Sequence, residues 1–449
     1  DNVRQQKDLA SIEAKGKYSF VCKYNKPNGT LPLGVVRGEA WGVIGGLNFM
    51  VPSHYLAKFH KAFADPKFLD DTVARLKLQS WKQLFIGGPI DMFALNPDLP
   101  IVGPWVTKVP ASSTTMVQER NPYYFQVDPN GNQLPYIDKI EHAYFENQES
   151  FNLMLIGGQI DCQFRHVQLK DYTLLKQNEA KGNYKVYVWN DDGNYGYSLN
   201  PCPRDENNKL DEAQTAIVSK KDFRVALNLA INRKEVNELL FNGLGVPRQG
   251  SPVHGSPVWK KEYDEAFAQY DPAQANKLLD GLGLDKRGPD GFRLRPDGKT
   301  MALRLDVDTA PGSIDADMHQ LVKGYWEKIG IKVTVNSMER SLRETVQFSD
   351  RYSVVYGSYG NTALPLSYDA WHGTIGMPAG TTSSGWARWI RNKADPLAIE
   401  PPAGYAETEA AKKAYAIIEE AYGMSDLDKA HKRLMDALDI CYLQQCWSI

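Results

Sequence analysis

The chain carries little that could bind a metal or form disulfide links. Its five cysteines, Cys22, Cys162, Cys202, Cys441 and Cys446, are odd in number and include no Cys-x-x-Cys pair. No Cys/His ligand spacing is present either, so neither a disulfide framework nor a zinc site is expected, and most of the thiols read as small buried hydrophobes. The eight histidines are scattered, and His54 and His60, six apart, would not share a helix face. No apolar run is long enough to span a bilayer. No leader peptide or lipid-attachment cysteine opens the chain; Asp1 starts a polar stretch, as a mature or truncated chain would. Charge of one sign is lacking too. Lys plus Arg total 52 against 54 Asp plus Glu, a net charge of -2. That balance gives no field to gather nucleic acid or anionic lipid, and no basic block interleaves with aromatics. GxxxxGK[ST], HExxH, GxSxG and a properly placed GxGxxG are all absent. The sequence therefore predicts no enzyme, no cofactor and no metal. Asp128, Asn130 and Asn132 faintly suggest a calcium loop, but Gly131 stands in the wrong place and a hairpin turn is the better reading.

Aromatics are plentiful: 23 Tyr, 16 Phe and 10 Trp in 449 residues. Most belong to cores, but Trp and Tyr with polar tips also suit a lined cleft. Strands are expected at Tyr18–Tyr24, Thr114–Arg120, Lys139–Phe145, Tyr184–Trp189, Tyr195–Leu199, Ile331–Val335 and Ser353–Gly357. Helices are expected at His54–Ala64, Ser150–Ile156, Asp222–Ala230, Arg233–Phe241, Ala273–Leu282, Ile314–Ile329, Arg340–Phe348, Thr408–Tyr422 and Asp426–Cys446. A hairpin is expected around Pro296-Asp-Gly298. The order is α/β, with helices covering a sheet. The polar stretch from Pro201 to Asp211 breaks the pattern, and Gly357 to Pro402 is rich in Gly, Pro, Ser and Trp. These are read as the outgoing and returning crossovers between two lobes, 1–200 with 395–449, and 201–394. Paired crossovers make a hinge.

Five separated segments carry a resemblance. Glu119-Arg-Asn-Pro-Tyr-Tyr-Phe-Gln-Val-Asp128 with Gly131-Asn-Gln-Leu-Pro-Tyr-Ile-Asp138 resembles the central signature of family 5 extracellular solute-binding proteins. Gly158-Gln-Ile-Asp161, Phe223-Arg-Val-Ala-Leu-Asn-Leu-Ala-Ile-Asn-Arg233 and Leu321-Val-Lys-Gly-Tyr-Trp-Glu-Lys-Ile-Gly-Ile331 resemble later segments, in the family's order. The resemblance implies a two-lobed periplasmic-binding-protein-like fold and a monomeric receptor, periplasmic or anchored at the cell surface. Such a receptor delivers its solute to an ABC transporter permease. It also implies a fragment, because the family's N-terminal segment is missing from its usual place. The stretch from Tyr356 to Leu366 lacks the carboxylate that oligopeptide receptors use for the peptide amino terminus, and the segments resemble the branch that includes oligosaccharide receptors. Neutral amides and indoles suit sugar hydroxyls and ring faces. An oligosaccharide is the expected solute, and an oligopeptide is the alternative.

The expected site gathers Tyr195, Tyr197 and Asn200 at the first crossover with Tyr359, Asn361, Trp371, Trp386 and Trp389 around the second. Trp41 and Trp105, each in a Gly/Pro-rich loop, join them. Trp386 and Trp389 lie beside Gly385 in a Ser/Gly-rich stretch with little reason to be buried, so at least one indole is expected to reach the cleft. Trp81 and Trp326 have helical spacing that points them into a core.

Overall fold

The computed structural model describes residues 9–27, 29, 52–84, 89–90, 93–111, 114–189, 195–204, 207, 209–309, 311–348, 351–358, 389, 398, 400, 406–447 and 449. The chain folds as two compact units, Leu31–Phe151 and Asp1–Thr30 with Asn152–Ile449.

The smaller unit is held by a satellite core of Leu56, Phe59, Leu69, Leu84 and Leu99. The helix expected over 54–64 is only a turn, Ser53–Leu56, tightening to a 3-10 turn at Ala57–Phe59, and His60 is already extended. Pro66 does not stop a helix; it starts one. Helix α1 spans Pro66–Arg75, with Pro at its first turn, where the missing N–H costs nothing, and with the Asp65 carboxylate capping the Phe68 N–H. Strands β3 (Trp105–Val109), β4 (Thr115–Arg120) and β5 (Lys139–Ala143) make an antiparallel meander in the order β3-β4-β5. Between β4 and β5 the chain folds back, with Val127 bridged to Gln133 across the Asp128 turn.

The larger unit opens with an antiparallel hairpin, β1 (Leu9–Ala14) and β2 (Phe20–Tyr24). Gly29 follows, its N–H on the Tyr422 carbonyl at 3.1 Å. A Cβ at this position would sit 2.1 Å from the Met424 carbonyl oxygen, so only glycine fits. Helix α2 (Gln148–Ile156) falls where expected. Residues 184–189 do not form the expected strand. Instead, Glu179 accepts from the Val186 N–H at 2.7 Å, and the Tyr184 hydroxyl donates to the Leu175 carbonyl at 2.6 Å, tying the segment to the preceding helical turns.

The main core lies on a sheet of β6 (Tyr195–Leu199), β7 (Ala302–Val307), β8 (Lys332–Ser337) and β9 (Val354–Ser358), ordered β6-β9-β7-β8. β7 runs parallel to β8 and β9, whereas β6 runs antiparallel to β9. The helices that pack here are α3 (Glu212–Val218), α4 (Lys221–Leu229), α5 (Arg233–Phe241), α6 (Pro272–Gly281), α7 (Ile314–Lys328) and α8 (Arg340–Phe348). α3, α5, α6 and α7 each begin on an Asp, Asn or Ser side-chain cap. Trp326 of α7 is fully buried in this core, as its spacing predicts. α9 (Ala406–Gly423) and α10 (Leu427–Leu438) then pack together, and the chain continues as a π-helical turn at Asp439–Gln444 where a continuous α-helix was expected. The turn is anchored by Asp439, whose carboxylate accepts from the Lys260 ammonium at 2.7 Å and the Tyr263 hydroxyl at 2.6 Å.

Candidate functional site

The strands nearest in sequence to the two predicted crossovers are partners in one sheet. β6 and β9 are about as far apart in sequence as the crossover scheme requires, yet they pair directly, from Tyr195 opposite Ser358 to Leu199 opposite Val354. Because the pair is antiparallel, the start of β6 and the end of β9 lie side by side. The chain therefore enters β6 and leaves β9 at one end of the pair, and it leaves β6 toward Pro201 and enters β9 at the other.

Three of the expected site residues are buried. Tyr197 is buried, with its hydroxyl 2.8 Å from His319 Nδ1. Its ring packs against Tyr356, His319 and Trp326. Burial raises its phenol well above the ordinary range. Asn200 is buried as well: its amide donates to the Tyr352 carbonyl at 3.1 Å and its oxygen accepts from the Cys202 N–H at 3.0 Å. That bracing fixes how the chain leaves β6. Trp389 is 8% exposed, against the expectation for its stretch, and the Lys412 ammonium stands 5.2 Å from its ring centroid, a cation–π arrangement that favours an enclosed indole. Tyr195 opens β6. Trp105 opens β3 in the smaller unit, half-buried and opposite Arg120. Trp41, Tyr359, Asn361, Trp371 and Trp386 lie outside the described residues.

Two polar residues beside this strand pair were not anticipated. Asp315 and His319, one turn apart on α7, each hold a tyrosine of the pair: Tyr356 donates to Asp315 at 2.8 Å, and Tyr197 meets His319. Burial pushes the Asp315 carboxyl up and holds the His319 imidazole down to about 4. The spacing of His319, Val322 and Trp326, at i, i+3 and i+7, would have placed the histidine on the buried helix face.

The segment resembling the family helix, α4 with the start of α5, has a different task. Arg224 donates to the Gln445 carbonyl from Nε at 3.1 Å and Nη2 at 2.9 Å, and from Nη1 to the carbonyls of Val218 and Ser219 at 3.2 and 2.9 Å. Asn228 donates to Cys446 Sγ at 3.1 Å. Arg233 is half-buried, donating to the Asn228 carbonyl at 3.0 Å and to the Asn228 side-chain oxygen, and its guanidinium is lowered to about 10 by desolvation. Arg224 and Asn228 seat residues 445 and 446, and Ile449 pairs with β6 through main-chain bonds to Tyr197 at 2.8 and 3.0 Å.

None of the five cysteines is in a disulfide; Cys202, Cys441 and Cys446 are buried and Cys162 is exposed. Among the described residues, no group of His, Cys, Asp and Glu side chains could hold a metal ion, and no helix is long and apolar enough to cross a membrane.

Comparison with known proteins agrees with this architecture. The model of "Bacterial extracellular solute-binding proteins, family 5 Middle" matches residues 2–376. The periplasmic alpha-galactoside-binding protein of Rhizobium meliloti (strain 1021) is 24% identical over 265 residues, 57% of this chain and 38% of that protein. The chain spans about two fifths of the length of the curated relatives it matches. Among solved structures, an oligopeptide-binding protein OppA is 32% identical, with a TM-score of 0.59 over 99% of this chain and 69% of that one. The Agrobacterium fabrum C58 periplasmic binding protein MelB, in complex with stachyose, has a TM-score of 0.62 at 17% identity, covering 89% of this chain and 56% of that one. The chain therefore belongs to the family 5 bacterial extracellular solute-binding proteins, whose two-lobed fold it shares.

Proposed function

We propose that this protein captures an oligosaccharide outside the cytoplasm and hands it to the permease of an ABC importer, binding it reversibly and without turnover. The observation that carries the sugar reading is the sequence relationship to the alpha-galactoside-binding protein of Rhizobium meliloti. The aromatic and amide residues of the crossover stretches supply suitable chemistry, because flat indole and phenol faces stack on sugar C–H faces. The site is assigned to Tyr195, Tyr359, Asn361, Trp371 and Trp386, with Trp41 and Trp105 contributed from residues 31–151. Tyr197, Asn200 and Trp389 support it from beneath. The lobes are taken as 1–200 with 395–449 and 201–394, closing about the β6–β9 strands as a monomer. The protein works in the periplasm or anchored at the outer face of the membrane. The oligopeptide alternative is favoured by the 32% identity to an oligopeptide-binding protein.

Stachyose and a tetrapeptide, each added in thermal melts, decide between the readings. Stachyose at about a hundred times its Kd stabilises the folded state by about 2.7 kcal/mol if it binds, and it is recovered intact. A rise in Tm with the tetrapeptide alone replaces the sugar by a peptide. Cleavage of stachyose that tracks the pure protein overturns the receptor reading.

A further inference from the structure

Helix α7 buries a polar pair beneath the strands that frame the proposed site. The Tyr356 hydroxyl of β9 donates to Asp315, and the Tyr197 hydroxyl of β6 lies at hydrogen-bond distance from His319, both at 2.8 Å. Tyr197 and Tyr356 are direct cross-strand partners with ring centroids 5.4 Å apart. One helical turn thus grips both strands at the same rung. His319 is fully buried, its ring edge-on to Tyr356 at 4.5 Å, and its Nε2 has no hydrogen-bond partner. A buried polar atom left unmatched is unfavourable, and simple packing would be served better by an apolar side chain.

We infer that Asp315 and His319 are positioning residues for the solute site: they hold the β6–β9 pair in register while His319 is neutral and let it part when His319 takes up a proton. The inference rests on the solute-binding reading of the two crossovers. A neutral imidazole has one N–H and one lone pair, and with the proton on Nε2 the Nδ1 lone pair accepts from the Tyr197 hydroxyl. An imidazolium has two N–H groups to place and only that oxygen in reach. If the oxygen accepts, its own proton loses its acceptor, and a charge is buried as well. The surrounding groups do not relieve this. Asp315 already accepts from Tyr356. Asp308, just after β7, favours the charged form but is itself ion-paired with Arg343 of α8 at 3.2 Å. Tyr197 and Tyr356 are the titratable groups facing the ring from β6 and β9. Acid therefore favours any state in which the ring reaches water.

Amide hydrogen exchange over 195–199 and 354–358, corrected for intrinsic rates, reads the opening directly. A ring titrating at 6.5 when open and about 4 when closed raises the opening equilibrium about thirtyfold between pH 8 and pH 5. His319→Asn keeps a neutral amide near Nδ1 and should flatten that profile. Tyr197→Phe, which preserves the ring, should open the strands more at pH 8 than wild type does. It decides the matter if the asparagine variant does not fold. Stachyose affinity, measured on the same samples, should fall in step with opening. A pH-independent opening, the same profile in His319→Asn, or wild-type protection in Tyr197→Phe overturns the inference, as does an affinity that ignores the opening. Absence of stachyose binding at pH 8 counts against the sugar reading instead, and the exchange profile alone then decides the role of the pair.

Discussion

Arg224 uses its whole guanidinium on main-chain carbonyls, at Val218 and Ser219 on its own side and at Gln445 across the fold. It is 4% exposed, so each lost bond leaves a buried acceptor unmatched. Lysine keeps the charge but offers a point ammonium that cannot fork to separate carbonyls. Arg224→Lys should therefore destabilise the protein by about 2–4 kcal/mol, from losing two or more charge-assisted bonds. Urea unfolding measures the cost, and a change below about 1 kcal/mol would show that the fork is dispensable. An arginine on the apolar face of α4 is visible in the sequence as an oddity. Its acceptor lies 221 residues away, and nothing local names it. The same limit applies to His319, whose buried helix position follows from spacing while its tyrosine partner does not. For Tyr197 and Asn200, composition and place in the chain suggested a cleft; strand pleat and a short turn bury both in the larger unit.

Most elements were legible because their periodicity is strong. The strands at Thr115–Arg120 and Tyr195–Leu199 and the helices at Arg233–Phe241 and Ile314–Lys328 fall within a residue or so of their expected bounds. The failures have local causes. Pro66 works as a helix starter because Asp65 caps the turn, and at Val186 a glutamate takes the N–H that a neighbouring strand would have used. The Asp128 turn is the converse case, fully readable from Asp-Pro-Asn-Gly-Asn. The carboxylate of Asp128 accepts from the N–H groups of Asn130 and Asn132 and from the Asn132 side chain, each at 2.8 Å, and from the Tyr136 hydroxyl at 2.7 Å. The turn itself occupies both carboxylate oxygens. The Tyr136 hydroxyl first, then Asn132, hold its pKa down to about 2. A depressed carboxylate contributes stability above its ordinary pKa and loses it as pH falls through the folded value. The turn should stay ordered from pH 7 to pH 4 and loosen between pH 4 and pH 2. NMR shifts of the Asn130 and Asn132 amides follow this, and Asp128→Ala should show the loosened shifts at every pH. Wild-type shifts that stay constant to pH 2, or that move at pH 5, contradict the assignment.

At the scale of the molecule, the larger unit is assembled from distant parts of the chain. Its sheet joins strands that begin at residues 195, 302, 332 and 354, and the last described residue, Ile449, pairs with Tyr197 on the edge of β6 opposite β9. Cys446, Trp447 and Ile449 are 0%, 1% and 4% exposed. Side chains of this kind contribute about 1.5–3 kcal/mol each on burial. Removing residues 445–449 would also strip Arg224 of the Gln445 carbonyl, Asn228 of the Cys446 sulfur and Tyr197 of its main-chain partner. The combined loss approaches the whole stability of a typical domain, about 5–15 kcal/mol. A chain ending at Gln444 should therefore lose its cooperative thermal transition while keeping part of its helical circular dichroism. Ile449→Ala alone should keep the transition at a lower temperature, because the main-chain pairing with Tyr197 survives it. If the shortened chain instead melts cooperatively within a few degrees of the one that includes residues 445–449, that segment is an ornament on the sheet. The polar residues of α4 would then need another reason for lying on its buried face.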